Sequence, residues 1–103
     1  MPVVMIKNGM RPVHPGEVLR EEFLAPLEMS ANALAMRLRV PAPRINDVVR
    51  EKRGVSVDTA LRLARFFNNT PEFWLNLQIA YDLKVTKAKK AVEIEHDITP
   101  MAA

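Results

Sequence analysis

The stretch ANALAMRLRVPAPRINDVVR at residues 31–50 constrains this chain more than any other. Two short helical patterns meet there across a turn of very few residues. Leu34, Leu38, Val40, Ile45 and Val48 fall where two helices joined by a tight turn must be apolar, and Ala35 puts a small side chain where they cross. Ser30 precedes the first pattern as an N-cap. Pro41 and Pro43 are barred from a helix interior but fit the opening turn of the second. The usual glycine of such a turn is replaced by Arg39, and holding a non-glycine residue at positive φ costs about 1 kcal/mol. The whole is the pattern of a helix-turn-helix.

The rest of the chain predicts more helix. Pro15 and Glu17 open a run carrying Val18, Leu19, Phe23 and Leu24 that Pro26 should end. Gly54 should close the segment after Val49, and a further helix should start near Ser56, with Leu61, Ala64 and Phe66 or Phe67 turned inward. Thr70, Pro71 and Glu72 mark the start of a last helix expected to reach about Lys90. The ends are extended or frayed by expectation, since Val3–Ile6 and the even spacing of Val92, Ile94 and Ile98 resemble strands. The predicted fold class is all-α: five helices, with an extended segment at 1–13, a domain at 14–90 and a tail at 91–103. A chain of 103 residues, 49% hydrophobic and 26% charged, suits one such domain with a real core.

Composition removes several functions. There is no cysteine, so no disulfide framework, thiolate nucleophile or thiolate-held metal is available. His14 and His96 stand far apart, and His14 beside Pro15 reads as a local cap or surface residue. Glu17, Glu21 and Glu22 read as a solvated helix face, because neither a candidate nucleophile nor a phosphate-cradling glycine loop accompanies them. No enzyme activity, cofactor or metal is expected. No apolar run approaches the ~18 residues of a membrane span, and MPVVMIKNGM lacks the features of a signal peptide, so a cytoplasmic protein is expected.

The net charge is only +3, but its distribution is uneven. Residues 30–65 hold eight arginines and lysines against three acidic residues, while each flanking third is slightly acidic. At 100° per residue, Ile45, Val48 and Val49 form the inward face of the second helix. Pro43, Asp47 and Arg50 lie opposite, with Arg44 and Asn46 on the two flanks. Arginine can contact guanine in a bidentate manner and asparagine adenine; Asp47 would accept from cytosine or orient an arginine. Arg39, Lys52 and Arg53 add cations within reach of phosphate. Double-stranded DNA is the expected partner, read by Arg39, Pro43, Arg44, Asn46, Asp47, Arg50, Lys52 and Arg53. One helix covers too few base pairs for specificity, so a homodimer on half-sites ~34 Å apart is expected. Trp74, Leu77 and Tyr81 share one side of the last helix, either as core or as the dimer seam.

Two segments carry a wider likeness: HPGEVLREEFLAPLEMSANALAMRLRVP at residues 14–41 and RINDVVREKRGVSVDTALRLARFFNNTPEFWLNLQIAYDL at residues 44–83. Over residues 8–83 the chain resembles the HigA antitoxins, a branch of the phage-repressor-like helix-turn-helix proteins. The resemblance implies a five-helix DNA-binding domain, a homodimer on a palindromic operator in its own promoter, and neutralisation of a HigB-like toxin that cleaves messenger RNA. It also implies that Pro41 to Arg50 form the recognition helix and that PEFWLNLQ at 71–78 opens a last helix used in core and dimer packing. Arg39 and Pro43 depart from the family pattern. A repressor with no toxin, or a helical interaction module that has lost DNA binding, would share much of this sequence.

Overall fold

The computed structural model describes residues 11–102, and among them five helices and no strand. The expected strand at Val3–Ile6 and most of the segment 1–13 lie outside the described residues. Helix α1 covers residues 15–27: an α-helical turn at Pro15–Val18, a π-helical stretch at Leu19–Leu24 and a last α-turn at Ala25–Leu27. Then come α2 (Ala31–Leu38), α3 (Ala42–Val49), α4 (Val57–Phe67) and α5 (Pro71–Asp97).

The starts follow the capping chemistry of the sequence. Ser30, Ser56 and Thr70 each accept from a backbone N–H three residues on, at 3.0, 3.2 and 3.1 Å. Pro41 takes the N-cap position of α3 in extended backbone. His14 caps α1, its Nδ1 accepting from the Gly16 N–H at 2.8 Å, so it is a cap that is also buried.

Three expected ends are corrected. Pro26 does not end α1. The Ala25 N–H bonds to the Arg20 carbonyl five residues back, and this wider winding carries the proline inside one further turn, until Glu28 goes left-handed. Gly54 does not close α3; Glu51, at φ 63, makes the left-handed step instead. Helix α5 passes Lys90 without a break and runs to Asp97, so Val92 and Ile94 are helical and the tail begins later than expected.

The core lies where α1 to α4 and the first half of α5 converge. Leu19, Leu34, Ala35, Ile45, Val48, Ala60, Leu63 and Trp74 have no exposed surface. Phe23 and Phe73 pack against Trp74, each at 5.0 Å between ring centroids, and the buried indole N–H donates to Asn69 Oδ1 at 3.0 Å. Trp74 is thus enclosed by its own chain, the core alternative for this residue. Leu77 and Tyr81 remain half-buried, Tyr81 resting edge-on against His14 at 4.8 Å.

Candidate nucleic-acid interface

Helix α3 is held from behind by close packing. A Cβ on Gly16 would stand 1.8 Å from the Val48 carbonyl oxygen, so α1 and the end of α3 approach as only glycine permits. Arg20 of α1 donates to the Val49 carbonyl, which α3 leaves without a partner at its C-terminus, and pairs with the Glu51 carboxylate at 3.3 Å. Arg62 of α4 does the same for α2, donating to the Leu38 carbonyl at 2.8 Å. Both helices of the pair therefore end on an arginine from elsewhere. Between them Arg39 holds φ 62, ψ 45, the left-handed turn that its position predicted.

The face turned outward from Ile45 and Val48 carries the expected polar set. Pro43, Asn46, Asp47 and Arg50 line one shallow concavity of about 320 Å³ together with Ala42 and Asn32. Arg44 lies on the flank nearest α4, where it pairs with Asp58. Asp58 also pairs with Arg62 at 2.8 Å, and these hydrogen bonds, Arg62 first and Arg44 second, hold its carboxyl below the usual carboxylate range. Asn46 lies on the opposite flank, toward α2. Its amide donates to Asn32 Oδ1 at 2.6 Å and to the Ala42 carbonyl at 3.0 Å. Asp47 accepts from Arg53 at 3.4 Å, so its charge is partly matched before any phosphate approaches.

The basic residues thus divide into two groups. Arg44 and Arg53 are held by carboxylates, whereas Arg39, Arg50 and Lys52 are exposed and make no ion pair among the described residues. Asn32, Asp58, Arg62 and Arg20 were not foreseen as parts of this surface. Asn32 and Asn46 are 14 residues apart on different helices, and no local spacing marks such a pair.

A tight two-helix unit, backed by three more helices and presenting a basic outer face, defines the class: a helix-turn-helix domain of the phage-repressor type. The family model described as helix-turn-helix matches residues 19–75. Virulence-associated protein I of Dichelobacter nodosus is 55% identical over 84 residues, covering 82% of this chain and 78% of that protein. Antitoxin HigA-1 of Vibrio cholerae serotype O1 is 40% identical over 84 residues, 81% of this chain and 78% of its own. Among solved structures, the Pseudomonas aeruginosa antitoxin HigA with the higBA promoter superposes with a TM-score of 0.86 at 50% identity, covering 89% of this chain and all of that one. The chain belongs to the HigA family of helix-turn-helix antitoxins.

Proposed function

We propose that the protein is the antitoxin of a type II toxin–antitoxin pair. As a homodimer it places α3 of each copy in the major groove of a palindromic operator in its own promoter, represses transcription there, and neutralises a HigB-like toxin that cleaves messenger RNA. The observation that carries this reading is the basic outer face of α3 on a fold shared, at 50% identity, with an antitoxin whose structure was solved with promoter DNA. The DNA-binding and dimerisation domain runs from residue 14 to the end of α5 at Asp97, acting in the cytoplasm without catalysis or cofactor. No helix among the described residues is long and apolar enough to cross a membrane.

In this reading Pro43, Arg44, Asn46, Asp47 and Arg50 face bases, and Arg39, Lys52 and Arg53 face phosphates. Alanine substitution of Arg44, Asn46 or Arg50 costs ~1–3 kcal/mol on the cognate duplex and relaxes specificity. At Lys52 or Arg53 it weakens all sequences alike and lowers the salt slope by about one. Gel shifts at several salt concentrations separate the two groups, and equal effects from all five mean the face is misassigned. Co-expression with the product of the neighbouring gene tests the partner: a small basic protein that co-purifies is expected for an antitoxin, and its absence leaves a repressor without a toxin.

A further inference from the structure

We infer that Asn32, in the first turn of α2, is a specificity-determining residue that reads one base pair jointly with Asn46. The inference rests on the operator-binding reading above and deepens it. One obligate acceptor fixes the orientation of both amides. The Ala42 carbonyl can only accept, so the Asn46 atom 3.0 Å from it is the NH2 nitrogen. The other hydrogen of that group goes to Asn32 at 2.6 Å, so the Asn32 atom facing it is the carbonyl oxygen. Asn46 then has no N–H left to give and keeps only Oδ1 as an acceptor. Asn32 keeps its entire NH2 as a donor.

An asparagine acting alone reads adenine by accepting from N6 and donating to N7. Asn46 cannot do both while its hydrogens are spent inside the protein. Its neighbour supplies what it lacks: acceptor from α3, donor from α2, side by side on the wall of the same concavity. The matching major-groove edge is adenine in an A·T pair. Asn32 is exposed, so its NH2 reaches this edge without unpacking the core.

The test uses the full chain and duplexes that the wild-type protein selects from a randomised pool. Binding is then measured on duplexes carrying every single base-pair substitution, for wild type, Asn32→Ala and Asn32→Asp. Wild type should discriminate adenine by ~10-fold or more at one position of each half-site. Asn32→Ala, which frees one Asn46 N–H, should change discrimination at that position alone and keep it elsewhere. Asn32→Asp still accepts from Asn46 but has no donor, so its preference at that position should move to cytosine, whose amino group donates. An equal loss on all sequences in either variant, or an adenine preference retained by Asn32→Asp, would overturn the role of Asn32. A wild-type chain that selects no sequence overturns the operator reading itself.

Discussion

Arg39 holds the turn between α2 and α3 in a backbone conformation that glycine adopts without steric cost, and its side chain is exposed and unpaired among the described residues. Arg39→Gly should therefore raise stability by several tenths of a kcal/mol up to about 1, although glycine within a helix destabilises by a similar amount. Denaturant melting without DNA reads the sign, and a loss of stability would contradict the left-handed turn. His14 makes a second prediction. Burial pushes its pKa down; Glu51 and Asp82 raise it and Arg20 lowers it further, so the net direction is downward. Its Nδ1 must stay unprotonated to accept from the Gly16 N–H. The unfolded chain takes up a proton as pH falls through the ordinary histidine value near ~6.5, while the folded chain resists until its own lower pKa. Stability from this site is complete above that value and drains away as pH falls from there to the folded pKa. Urea midpoints at pH 7.5 and about pH 5.5 should show this loss in the wild type and much less of it in His14→Gln.

Among the elements, α3 depends most on a residue outside itself. Gly16→Ala sets a methyl group against the Val48 carbonyl and must push α1 and α3 apart, which should cost about 1–3 kcal/mol and shift the recognition face as well. Melting gives the first effect. Titration with the cognate duplex, at a temperature where the variant is folded, gives the second; unchanged affinity would mean that α3 holds its place without α1. The helix starts were legible because each rests on a local signal: Ser30, Ser56 and Thr70 cap their own backbone, and Pro41 and Pro71 can occupy few other helical positions. The wheel drawn about Ile45 likewise put Arg44 and Asn46 on opposite flanks, as found. What was not legible depends on neighbours distant in sequence or on backbone without a residue signature. Glu51 takes the left-handed step that Gly54 was expected to mark, and nothing in its side chain announces this. Gly54 answers to a different contact, since a Cβ there would meet the Gln78 amide, which accepts from the Val55 N–H. The reach of α5 was the readable miss: no glycine or proline interrupts residues 72–99, and that outweighs the even spacing of Val92, Ile94 and Ile98.

The whole molecule is a small bundle with a rod attached. Its extents are 53 × 26 × 23 Å, and 27 residues of α5, ~40 Å at 1.5 Å each, account for the long axis. If α5 forms the seam of the homodimer proposed above, its exposed apolar residues meet the second copy, among them Ile79 at 64% and Leu83 at 58% exposure. These two lie about 40° apart around the helix, close enough to form one seam. Leu83→Glu should split the dimer while leaving the melting of the bundle nearly unchanged, and sedimentation at tens of micromolar checks it; a dimer that persists places the seam elsewhere. In such a dimer α5 carries the seam and packs at its other end on α4 and α1, and α1 packs in turn on α3, so packed helices connect the seam to the recognition helix. The protein then behaves as a pair of calipers locked at one opening. One base pair inserted between the half-sites moves the second by ~3.4 Å and turns it by about a tenth of a revolution. A linker would absorb that error, but a locked gauge cannot, so the spacing of the operator is itself part of the message the protein accepts.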